Sequence, residues 1–76
     1  MMWQYYKPKK SMRFLWESVV IFFEANGLDT SIFKPPVDYV DYGRVMNKAF
    51  AKMRNMNIDQ DFYTFYKKRK RGKENV

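Results

Sequence analysis

Residues 11–27, SMRFLWESVVIFFEANG, decide the fold. Ser11 is a good N-cap for a helix running from about Met12 to Ala25. Asn26-Gly27 is its stop signal, because glycine adopts the left-handed conformation without a Cβ penalty. At helical spacing Arg13, Glu17 and Glu24 share one narrow face, and nearly everything else is large and apolar: Phe14, Leu15, Trp16, Val19, Val20, Ile21, Phe22 and Phe23. An apolar arc that wide belongs to a helix covered on most sides. Two further helices cover two of those sides. The rest falls to Trp3, Tyr5 and Tyr6 of the N-terminal arm, to a second copy in a homodimer, or to a larger protein partner. In the last two cases Trp16, Val20 and Phe23 are the residues expected to meet that partner.

Outward from this helix the chain stays helical. Before it, residues 1–10, MMWQYYKPKK, are broken by Pro8 and predict an extended aromatic arm. After it, Asp29 caps a single turn over Thr30 to Phe33, and Lys34-Pro35-Pro36 forces an extended link. A second helix is predicted from near Val37 to Asn55 or Met56, with Asp38 and Asp41 early and Lys48, Lys52 and Arg54 late, which suits the helix dipole. Tyr42, Met46, Ala49, Met53 and Met56 form its apolar seam, widened by Tyr39 and Phe50. Gly43 is the weak point and marks a kink, a close crossing or a break. Asn57-Ile58-Asp59-Gln60 has capping-box spacing for a third helix that buries Ile58, Phe62, Phe65 and Tyr66, leaves Tyr63 outside and stops at Gly72. The expectation is an all-α single domain of three helices, or four if Gly43 splits the second. It has an arm over 1–10, a helical core over 11–66 and a basic tail over 67–76.

Length and composition narrow the function. At 76 residues the chain supports one small core, and 46% hydrophobic residues with 20% aromatics are too rich for a disordered protein. Without cysteine or histidine there is no disulfide, no thiolate or imidazole metal site and no Cys or Ser–His nucleophile system. The carboxylate pairs Asp38/Asp41 and Asp59/Asp61 read as helix-terminal charges, and the three glycines stand alone. No enzyme, cofactor or metal is expected. Bases ahead of an apolar stretch imitate a signal peptide, but Arg13 and Glu17 interrupt it and it is too short to span a bilayer. No integral membrane association is therefore expected. The absence of cysteine fits a reducing, cytoplasmic or host-cell interior; in a eukaryotic host Lys67–Arg71 also reads as a nuclear import string.

The net charge of +7 is unevenly spread. Lys7, Lys9, Lys10 and Arg13 at one end and Lys67, Lys68, Arg69, Lys70, Arg71 and Lys73 at the other face a single acid, Glu74. Between them five bases stand against seven acids. Basic ends on a slightly acidic body suit a polyanion, nucleic acid first. Tyr63 beside the Lys67–Arg71 run combines a ring for stacking with cations for a backbone, as single-strand binding requires. Arg44, Lys48 and Lys52, four apart with Asn47 and Asn55 nearby, form a second basic row able to meet phosphates and base edges. The leading expectation is a small basic nucleic-acid-binding protein, for DNA or RNA. It would grip phosphates with its C-terminal extension and with Lys9 and Lys10 of the arm. The rival is a protein-binding module, an accessory subunit or modulator of viral or plasmid character, that docks its apolar first helix on a larger machine.

Overall fold

The computed structural model describes the backbone of residues 7–74 and the side chains of residues 7–72. It is all-helical, with α1 over Lys10–Ala25, α2 over Tyr39–Asn55 and α3 over Asp59–Glu74. Trp3, Tyr5 and Tyr6, expected to cover the core, lie outside the described residues, as does the side chain of Lys73.

The first two helices end in the same way. Gly27 takes φ 67° and Asn57 takes φ 58°. At α1 the Leu28 N–H donates to the Phe23 carbonyl (2.9 Å) and the Gly27 N–H to Glu24 (3.1 Å). At α2 the Ile58 N–H donates to Met53 (2.9 Å) and the Asn57 N–H to Arg54 (3.1 Å). Both are Schellman closures, and each turns the following hydrophobe, Leu28 or Ile58, onto the core. Asn57 thus terminates α2 instead of opening a capping box for α3. Asparagine tolerates the left-handed region, and the two free carbonyls of α2 need its N–H and the next.

The other helix starts also differ from the sequence reading. Lys9, not Ser11, is the N-cap of α1, in extended conformation and without a side-chain cap. What holds this first turn comes from α2: the buried Tyr42 hydroxyl donates to the Met12 carbonyl at 2.7 Å. α2 begins two residues later than Val37, because Asp38 is itself the cap. Its carboxylate accepts from the Asp41 N–H (2.8 Å), while the Asp41 carboxylate accepts from the Val37 N–H (3.2 Å). Gly43 causes no break; α2 is continuous across it, and a Cβ there would meet nothing within 4 Å. Gly72 does not stop α3, which runs on to Glu74. The basic run is helical, as the expected extent of the third helix to Gly72 implied, and the helix goes two residues further.

The core forms around α1. Trp16 and Val19 are fully buried and Phe22 and Phe23 nearly so. From the link between α1 and α2, Phe33 inserts edge-on against Trp16 (5.7 Å between ring centres) and Phe23 (5.0 Å). Tyr42 of α2 lies 5.5 Å from Trp16. On the other side Phe22 meets Phe62 (5.4 Å) and Phe65 (5.7 Å) of α3, and Phe14 meets Tyr66 (5.6 Å). Rising numbers on α1 meet falling numbers on α3, so these two helices are antiparallel. Phe50 closes the third contact, from α2 to Phe62. The buried Ser18 hydroxyl donates back to the Phe14 carbonyl at 2.7 Å.

Two stability results follow. Trp16→Ala should cost about 3–5 kcal/mol, as large-to-small changes at buried aromatics do. Chains of this size are stable by roughly 4–11 kcal/mol, so urea unfolding followed by circular dichroism should show the midpoint moved to much lower urea, with unfolding in water only if the parent lies at the low end of that range. Gly43→Ala should do the opposite, raising stability by about 0.5–1 kcal/mol and the thermal midpoint by a few degrees. A lowered midpoint would mean that Gly43 carries a packing duty the backbone geometry hides.

Candidate nucleic-acid interface

Running α3 antiparallel to α1 brings together the two ends where the bases lie. Phe14 is the shared neighbour. Its ring touches Tyr66 and lies 4.9 Å under the guanidinium of Arg69, and it also lines a shallow depression with Lys10, Arg13 and Glu17. The first turn of α1 and the last turns of α3 thus share one corner of the molecule, some sixty residues apart in sequence. Lys9 and Lys10 are exposed there, as are Lys67, Lys68, Lys70 and Arg71.

Within that corner the helix sorts the basic run by direction. Arg69 turns inward, half-buried, over Phe14 and, at 5.9 Å, over Phe65. It joins α3 to α1 through ring faces, an interaction of about 0.5–2 kcal/mol. Lys67, Lys70 and Arg71, at spacings of three and four, share the outward face with Tyr63, and Lys68 flanks them. Tyr63 is 54% exposed, and the Lys67 ammonium stands 4.3 Å over its ring centre. Of the residues the sequence offered for phosphate contact, Arg69 is thereby placed as a packing group. Arg13 joins the corner; it had been counted among the N-terminal bases but not singled out, and its spacing of three from Lys10 was the available signal.

Glu17 stands beside Lys10 and Arg13, yet the start of α1 carries bases where its dipole favours acids. α1 has no acid in its first turn, so Lys10 and Arg13 sit at the positive end of its dipole. In α2, by contrast, Asp41 lies in the first turn and Lys52 and Arg54 in the last. Bases at the start of α1 and the end of α3 repel one another, and an anion relieves that repulsion.

The second basic row lies elsewhere. Lys48 and Lys52 line a depression with Phe23, Asp29 and Ile32, beside the turn that follows α1. The Asp29 carboxylate accepts from the Ser31 N–H and from the Ser31 hydroxyl, both at 2.9 Å. These bonds, more than the nearby charge of Lys52, hold its pKa below the ordinary aspartate value. The row is thus next to an acid, as the α1–α3 corner is next to Glu17, but it has only three bases to set against it. An apolar groove of about 360 Å³ bordered by Leu15, Phe50, Phe62 and Tyr66 carries one base, Arg54, beside one acid, Asp59, and adds no net charge.

The surface proposed for a protein partner changes most. Trp16 is 0% and Phe23 1% exposed, and Val20 is half-buried. Phe33, which sequence reading placed only in a single turn, supplies the missing cover over Trp16 and Phe23. Exposed apolar side chains collect instead at the start of α2, where Val37, Tyr39 and Val40 are 56–69% exposed. No described helix is long and apolar enough to cross a membrane. The chain matches no known protein family, no curated protein and no solved structure, so the role of this surface is read from its own geometry.

Two measurements test the electrostatic account. Lys10→Glu places an acid at the start of α1 and should raise stability by about 0.3–1 kcal/mol at low salt; thermal melts at about 20 and 200 mM salt should show the gain shrinking as charge is screened. Asp29 has a folded pKa below its unfolded value, so its contribution is present above pH 4 and lost as pH falls through the folded pKa. Ser31→Ala should move the Asp29 carboxyl titration upward in a carbon-detected NMR series. An unmoved titration would assign the shift to the residue-31 N–H, which alanine keeps.

Proposed function

We propose that this chain is a small, non-enzymatic nucleic-acid-binding protein that grips phosphates with the corner shared by the start of α1 and the end of α3. The single observation carrying this reading is the convergence of the two basic ends of the sequence around Phe14, where the described bases outnumber the one acid, Glu17, and the first turn of α1 carries none. Lys9, Lys10, Lys67, Lys68, Lys70 and Arg71 would contact phosphates, while Arg69 fixes the orientation of α3. Arg44, Lys48 and Lys52 form a weaker second surface, since Asp29 stands beside it.

The alternative, a protein-binding module, keeps one observation in its favour: Val37, Tyr39 and Val40 leave apolar area at the start of α2. An accessory subunit would dock there and not through Trp16 and Phe23, and the basic corner would then raise its association rate with an acidic partner.

A salt series separates the two. Fluorescence anisotropy of labelled oligonucleotides between about 50 and 200 mM salt should give binding whose logarithm falls steeply and linearly with the logarithm of salt, at close to one unit of slope per phosphate contact. The double variant Lys70→Gln/Arg71→Gln should weaken binding and flatten that slope by about two while leaving the circular dichroism spectrum unchanged. No binding at the lowest salt would discard the nucleic-acid reading and direct the search to the α2 patch.

A further inference from the structure

Resting on the nucleic-acid reading, we infer that the ligand of the basic corner is a duplex gripped on its phosphates, and not a single strand held by stacked bases. Sequence alone suggested the reverse, because aromatic residues precede the basic run. Single-strand binding draws on rings presented to the bases, each worth about tenfold or more in affinity when removed. In the structure the rings of α3 pack mainly on one another and on α1, although Tyr63 and Tyr66 also edge the apolar groove beside Phe50. Phe62 is buried, and Phe65 and Tyr66 pack against Phe22, Phe14 and Phe62. The outward ring, Tyr63, carries the Lys67 ammonium 4.3 Å over its face, where a base would have to displace it.

What the corner does present is density of charge on a rigid frame. Lys67, Lys70 and Arg71 project from one face of a continuous helix, and Lys9 and Lys10 stand at the adjoining end of α1. A fixed cluster gains most from a ligand whose phosphates are equally dense and equally fixed. A duplex offers one charge per about 1.7 Å of axis, against 3.4 Å for one strand of the same pitch. A flexible strand must also lose conformational freedom to follow a rigid cluster, with little stacking from the described rings to offset that loss. The shared chemistry is the double-helical phosphate backbone, which DNA and RNA duplexes both provide.

The test uses the full chain and four labelled probes of equal length and sequence: duplex DNA, duplex RNA, single-stranded DNA and single-stranded RNA, at about 100 mM salt. The expected result is at least tenfold tighter binding to one or both duplexes than to either strand, with Tyr63→Ala within about threefold of the parent on all probes. Whichever duplex binds tighter identifies the source. Single strands bound as tightly as duplexes, with Tyr63→Ala losing about tenfold on them, would overturn the duplex inference and leave the nucleic-acid reading standing. Absence of binding to all four probes at about 50 mM salt would overturn both.

Discussion

The burial of Trp16 is the constraint from which the rest of the structure follows. An indole in a helix with large side chains on nearly every face needs walls from more than one direction, and α2 supplies the ring of Tyr42. The second wall is Phe33, from a segment with no regular structure of its own. Three local devices deliver it. The Schellman closure at Gly27 folds the chain back on α1, Asp29 fixes the next turn through Ser31, and the buried ring of Pro36 anchors the chain before α2 starts. Local hydrogen bonding in an exposed turn thus completes the core. Once Trp16 and Phe23 are closed on that side, the other side of α1, carrying Phe14 and Phe22, is left for α3.

That division of α1 also creates the charged corner. Phe22 meets Phe62 and Phe65, and Phe14 meets Tyr66, so hydrophobic packing sets an antiparallel alignment. The alignment places like charges together, against their Coulomb preference. Exposed charges repel by about 1 kcal/mol at contact distance in water, while each buried aromatic is worth more than that. Packing wins. Arg69 softens the conflict: its guanidinium lies on Phe14 and Phe65, so a charge that would add to the repulsion at the surface contributes to the helix–helix contact.

Much of the fold was legible in the sequence because it depends on local, periodic signals. The α1 arc, the Tyr42–Met53 seam and the Phe62–Tyr66 face follow from 3.6-residue spacing, and all but the ends of the helices follow from glycine, proline and capping residues. The failures share a physical cause. Ser11 was a reasonable cap on local grounds, but the first turn of α1 is held by Tyr42, thirty residues away from Met12. Asn57 was read forward into α3 because asparagine caps helices; the carbonyls of α2 claimed it first. Gly72 reads as a stop only when nothing favours continuing the helix, and the Phe14–Arg69 contact, less than one turn before it, holds the end of α3 in place. Each of these is a choice between two locally acceptable conformations made by a distant group.

The candidate site was legible in composition but not in arrangement, and the difference alters its chemistry. Counting bases gives ten at the two ends against one acid, whatever the fold. Only the antiparallel pairing of α1 and α3 makes those ends a single field instead of two separate tails. Only the packing of α3 on α1 shows which side of the helical basic run turns inward, Arg69, and which faces outward, Lys67, Lys70 and Arg71. A disordered tail with the same residues would let every base follow a flexible strand and would free Tyr63 for stacking. A helix removes that freedom, and with it the advantage a single strand would have. The regular spacing of Arg44, Lys48 and Lys52, which looked equally promising on a helical projection, lacks such reinforcement: its neighbour in space is Asp29. Charge on a surface therefore acts according to which elements meet there, and here the hydrophobic faces of α1 and α3 decide it.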